Sequence, residues 1–72
     1  MARHKILAPM TGSVWMHSVS AGEKVYADGQ VMVMESMKME VPIQSPVDGV
    51  VVSLAEPGTI VNEGDVLAEI DD

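Results

Sequence analysis

Within the stretch MESMKME (34–40), a lysine lies between two methionines, Met37 and Met39, with Glu35 and Glu40 close on either side. Lys38 is the only lysine or arginine after Lys24, in a chain of 72 residues whose formal net charge is −7. An amine is a nucleophile only when deprotonated, and a free lysine is an unreactive ammonium at neutral pH. Catalytic lysines are usually desolvated or set beside a second cation. Lys38 has acidic neighbours instead, with no base nearby in sequence, no Ser–His–Asp set and no phosphate-cradling glycine loop. The chemistry that fits is that of a substrate amine, acylated by another enzyme that brings its own base. An autonomous enzyme is not expected.

The flanking residues sharpen that reading. A lone lysine at a loop tip is ordinarily solvated surface, and turns usually take Gly, Asn, Asp or Ser rather than methionine. Four methionines nevertheless fall between residues 32 and 39. Met32 and Met34 are expected to fill the core, as methionine fills irregular gaps. Met37 and Met39 fall where the chain must reverse, and read as a flexible apolar surface for a partner to grip. Glu35 and Glu40 either hold the ammonium in place, present charge to a partner, or simply solubilise the turn.

The elements that position Lys38 follow from punctuation and repetition. Gly and Pro break the chain at short intervals, leaving β-rich pieces such as SVWMHSV (13–19), GVVVSL (49–54) and DVLAEI (65–70). Short strands at this spacing indicate a small all-β sandwich or barrel. Residues 30–41 could dissent, since they lack Gly and Pro and are rich in helix formers; MKMEV, however, alternates with period two. An internal repeat decides for strand. AP-x-x-G-x-V (8–14), AGEKV (21–25) and DGQVMVME (28–35) recur as SP-x-x-G-V-V (45–51), PGTIV (57–61) and EGDVLAEI (63–70). Matching glycine to glycine aligns Gly12 with Gly49, Gly22 with Gly58 and Gly29 with Gly64. The offset then shrinks twice, which implies two single-residue deletions in the second copy. Each copy is too short to bury a core alone, so the halves, about 6–37 and 43–70, are expected to face each other within one domain over 1–72. Lys38 then sits at the fold-back between them, on an exposed turn.

Composition bounds the rest. Absence of cysteine removes disulfides and thiolate metal sites, and His4 and His17 are too isolated for an imidazole site. Eleven acidic residues against four basic ones oppose phosphate-driven nucleic-acid binding. No apolar run approaches a membrane span, and Pro9 interrupts the apolar segment after MARHK, so a cytoplasmic protein with no membrane partner is expected.

ESMKM followed by EVPI resembles the attachment motif of biotinyl domains, and the resemblance extends over residues 6 to 70 through APMTG, AGEKV, SPVDG, PGTIV and EGDVL. It implies a member of the biotin/lipoyl attachment family similar to small biotin carboxyl carrier proteins. The implied fold is a flattened barrel-sandwich hybrid of two four-stranded antiparallel sheets about a pseudo-twofold axis, with the attachment hairpin opposite the termini. By the same resemblance, biotin protein ligase joins biotin to Lys38 from biotinyl-adenylate, with Met37 and Met39 aiding recognition and Glu35, Ser36 and Glu40 completing the hairpin. The cofactor would then carry carboxylate between biotin carboxylase and carboxyltransferase components. Ser36 departs from the alanine common in the family, and direct passage from Val25 to Gln30 leaves no room for the inserted thumb of some bacterial carriers. Lipoylation of the same lysine is the alternative. A cold-shock-like nucleic-acid binder is a further one, opposed by aromatic content, since such surfaces stack bases on clustered aromatics. This chain has only Trp15, expected as a partly buried packing residue, and Tyr26.

Overall fold

The computed structural model describes residues 2–72. Its elements are all strands: β1 (Arg3–Leu7), β2 (Gly12–His17), β3 (Lys24–Val25), β4 (Gln30–Ser36), β5 (Met39–Gln44), β6 (Gly49–Leu54), β7 (Ile60–Val61) and β8 (Val66–Asp71). Residues 30–36 and 39–44 are therefore strand, and the helical option fails. β5 shows the expected period two, with Val41 half-buried and Ile43 buried between exposed neighbours, whereas β4 buries Val31 to Met34 in succession beside a register shift.

Two antiparallel four-stranded sheets result, ordered β1-β8-β6-β3 and β5-β4-β2-β7. Exchanging β1 with β5, β8 with β4, β6 with β2 and β3 with β7 converts one order into the other. Each sheet thus draws two strands from each half of the chain, and neither half completes a sheet alone. Between the sheets lies a core that includes Val14, Val31, Met32, Met34, Ile43, Val51, Leu67 and Ile70. Met32 and Met34 are fully buried, as expected of gap fillers.

Structure corrects one detail of the repeat. Gly22 and Gly58 share a left-handed backbone (φ 92° and 90°), but Gly64 (φ 91°) is matched by Asp28 (φ 68°), not by Gly29. Hydrogen bonds agree: Asp28 N donates to Ser45 O as Gly64 N donates to Ala8 O, and Ser45 N to Gly29 O as Ala8 N to Asp65 O. The offset consequently changes once rather than twice. Aspartate tolerates the left-handed region by bonding locally, so matching glycine to glycine misplaced this turn by one residue. Trp15 also lies further out than expected. Pairing skips it between Val14 and Met16, and at this bulge it is 48% exposed.

Candidate functional site

β4 and β5 pair as far as Ser36 opposite Met39, so only Met37 and Lys38 remain to reverse the chain. Their φ angles are 52° and 65°. Positive φ at both central residues is the mark of a type I′ hairpin turn, whose twist suits antiparallel strands and which strongly prefers Asn-Gly. A left-handed conformation costs an L-residue roughly 1–2 kcal/mol. The fold therefore holds a methionine and a lysine where neither eases folding. Backbone outliers of this kind cluster at functional sites.

Support for the turn comes from behind. Ser36 is buried, and its Oγ donates a 2.7 Å hydrogen bond to the carbonyl of Thr11. Gly12 lets this approach happen: a Cβ there would stand 2.5 Å from the Glu35 carbonyl oxygen and 3.1 Å from Ser36 Cβ. Thr11 and Gly12 thus brace the base of the hairpin, a role that went unassigned in the sequence. Their signal was available in the repeat, because Gly49 abuts Asp71 and Ile70 in the same way. Beneath the turn, Met34 anchors β4 in the core.

The side chains of residues 37–40 are all outside. Met37 is 93% exposed and Met39 61%, and Lys38 is exposed and makes no hydrogen bond or ion pair with any described residue. Glu35 and Glu40 stand directly opposite each other across the two strands, both exposed. Neither forms an ion pair with the ammonium, which leaves presentation of charge or simple solvation of the turn as their role. Like charges directly opposed destabilise a strand pair. At the equivalent place in the other sheet, Arg3 and Asp71 form an ion pair at 2.9 Å.

Neither histidine serves the amine as a general base. His4 Nε2 lies 2.8 Å from Asp72 Oδ2, and His17 Nε2 lies 2.7 Å from the Ala55 carbonyl. Both histidines are engaged away from the hairpin. The chain runs from Arg3 through β1 to Thr11 before touching Ser36, which sets the terminal strands and the turn at opposite ends. Nor do the aromatics cluster: Trp15 is on β2, whereas Tyr26 follows β3 of the other sheet, with Lys24 Nζ 5.4 Å from its ring centroid. A shared stacking platform, the requirement of the cold-shock-like alternative, is not built. The arrangement suits one chemistry, acylation of a solvent-exposed amine inside another protein's active site.

Comparison with known proteins gives a consistent picture. The family described as biotin-requiring enzyme matches residues 4–70. The chain is 44% identical over 66 residues to a biotin-dependent acyl-coenzyme A carboxylase alpha3 subunit of Mycobacterium leprae, covering 90% of this chain but 11% of that protein. With a biotin/lipoyl attachment protein of Bacillus subtilis it is 42% identical over 62 residues, covering 85% of each. Among solved structures, the urea carboxylase of Kluyveromyces lactis superposes with a TM-score of 0.92 at 26% identity, covering 99% of this chain and 6% of that one. The chain thus spans about a tenth of the first of these relatives and nearly the whole length of the second.

Proposed function

The chain belongs to the biotin/lipoyl attachment domains of the biotin-requiring enzymes, and from that premise we propose that it is a biotin carboxyl carrier whose Lys38 is the attachment residue. The observation that carries the assignment is the type I′ turn, which presents a lysine, unpaired among the described residues, at a left-handed position that favours glycine. Attachment fits the residues present: an amide on Lys38 Nζ neutralises an ammonium that makes no hydrogen bond or ion pair with any described residue. A biotin protein ligase supplies the base, Nζ forms the C–N bond to the activated acyl carbon, and AMP leaves. Met37 and Met39 give that ligase an apolar grip on either side. Once attached, biotin supplies the ring that carries a carboxylate between a carboxylase site and a carboxyltransferase site. The chain itself contributes presentation: a rigid two-sheet base, a two-residue turn, and exposure to two active sites in succession.

Carboxylase components are the partners this reading implies, and the domain acts as a non-catalytic carrier subunit or segment. Lipoylation of Lys38 is a second reading, supported by the Bacillus subtilis relative of similar length whose name covers both cofactors. Intact-mass spectrometry after incubation with biotin, ATP and a biotin protein ligase tests the assignment. One biotin mass should be gained on Lys38, and Lys38→Arg should gain none while its stability stays within about 0.5 kcal/mol of the parent, as for other surface changes. An unmodified parent chain overturns the site, and lipoylation in its place overturns the cofactor.

A further inference from the structure

The pseudo-twofold makes the outer faces of the two sheets directly comparable, and their chemistry differs. In the first sheet, Lys5, Glu69 and Ser53 form a cross-strand row. Its counterpart in the second sheet is Pro42, Val33 and Met16. Each polar position on one face is apolar on the other. Val33 is 8% exposed yet lies outside the core cluster, and Met16 beside it is 45% exposed. The next row toward the turn is Glu40, Glu35 and Ser13, with Ile60 (80% exposed) beyond on β7. An apolar stripe, an opposed pair of carboxylates and the Lys38 turn thus follow one another along a single face.

Both features disfavour an isolated chain, because exposed apolar area costs hydration and the carboxylates repel. A surface with an apolar centre flanked by arginine or lysine relieves both at once. Acylation of Lys38 also removes the one cation of the turn and leaves Glu35 and Glu40 uncompensated, so a cationic surface prefers the acylated chain. A ligase needs the opposite preference, since it must bind the free lysine and release its product. Resting on the carrier reading above, we infer that this face of the second sheet docks the component that carboxylates the tethered ring, through a surface of that apolar and cationic character.

Transplanting the counterpart residues tests this within a geometry the fold already supports. The triple variant Met16→Ser/Val33→Glu/Pro42→Lys, and the double Met16→Ser/Pro42→Lys that spares the buried valine, are biotinylated and confirmed by mass. They are then assayed as substrates of a purified biotin carboxylase component by ATP consumption. Each should raise KM about tenfold or more, the size of losing a hot-spot contact, with kcat retained at saturation. The KM of the ligase for the unmodified variants should stay within about twofold, and the carboxylase KM of the parent should rise with salt as charged contacts are screened. Unchanged or salt-independent carboxylase KM overturns the inference. An equal rise in ligase KM assigns the face to the ligase instead, a raised KM at a carboxyltransferase component with the carboxylase KM unchanged assigns it to that component, and a parent dimer that the double variant dissociates assigns it to a second copy. Absence of biotin on the parent chain overturns the carrier reading and the surface with it, whereas a biotinylated chain with unchanged KM overturns the surface alone.

Discussion

At the scale of single residues, Met37 and Lys38 are the places where folding and function ask for different side chains. Met37 and Lys38 hold φ of 52° and 65°, for which Asn and Gly are the favoured pair. Met37→Asn/Lys38→Gly should therefore stabilise the domain by about 1–2 kcal/mol, within the usual cost of left-handed backbone. For a domain of this size that corresponds to a rise in Tm of roughly 4–8 °C per kcal/mol, read by thermal unfolding. The same variant has no amine at the turn and should gain no biotin, although Lys5 and Lys24 remain. A flat or lowered Tm would show that the turn is not strained, and would remove backbone strain as evidence for the site. Exposure of Met37 contrasts with full burial of Met34 only three positions earlier. One residue type thus serves packing at one end of a strand and presentation at the other.

At the scale of elements, the hairpin is held by what lies beneath it. Gly12 and Gly49 occupy equivalent positions, each admitting the backbone of a neighbouring strand where a Cβ would collide. Alanine at either site should destabilise by about 1–3 kcal/mol, as overpacking does. Their effects on acylation should separate. Gly12→Ala presses on Glu35 and Ser36 at the root of the turn and should slow biotinylation. Gly49→Ala presses on Ile70 and Asp71 at the other end and should leave it unchanged. Equal ligase rates for the two variants, at temperatures where both are folded, would deny Gly12 its positioning role. The same elements show what could be read from sequence and what could not. Repetition of Pro, Gly and Val was enough to place Lys38 on the reversal between β4 and β5 and, where the local pattern was ambiguous, to reject the helix. Asp28 was misaligned because backbone conformation, not residue identity, is what the two halves share there. Trp15 was misjudged because a bulge, which breaks alternation locally, leaves no periodic trace. The unlike outer faces needed cross-strand register, since Met16, Val33 and Pro42 become neighbours only once pairing is known.

At the scale of the whole molecule, the pseudo-twofold gives the domain two related ends with opposite electrostatics. The turn end carries Glu35 facing Glu40, while the terminal end is clasped by opposite charges. Arg3 donates to both carboxylate oxygens of Asp71, at 2.9 and 3.2 Å, and Ala2 N and His4 Nε2 meet the Asp72 carboxylate at 2.5 and 2.8 Å. The hydrogen bond from Ala2 N, aided by the one to His4, lowers the Asp72 pKa from 3.8 to about 2. A depressed carboxylate pKa adds stability that is complete above the unfolded value of 3.8 and lost as pH falls through about 2. Protonating the other exposed carboxylates works the other way, by relieving repulsion in a chain of net charge −7. The clasp therefore has to be isolated by difference. Subtracting the Tm-against-pH curve of Asp72→Asn from that of the parent should give a positive offset at neutral pH. That offset should fall toward zero as pH drops from 3.8 toward 2, and it should shrink in high salt because the groups are solvent-exposed. Biotinylation of Lys38 should be the same in both proteins at neutral pH, since the clasp and the turn lie at opposite ends. An offset that is absent at neutral pH, or that persists unchanged below pH 2, would mean that Asp72 does not hold the terminal strands together.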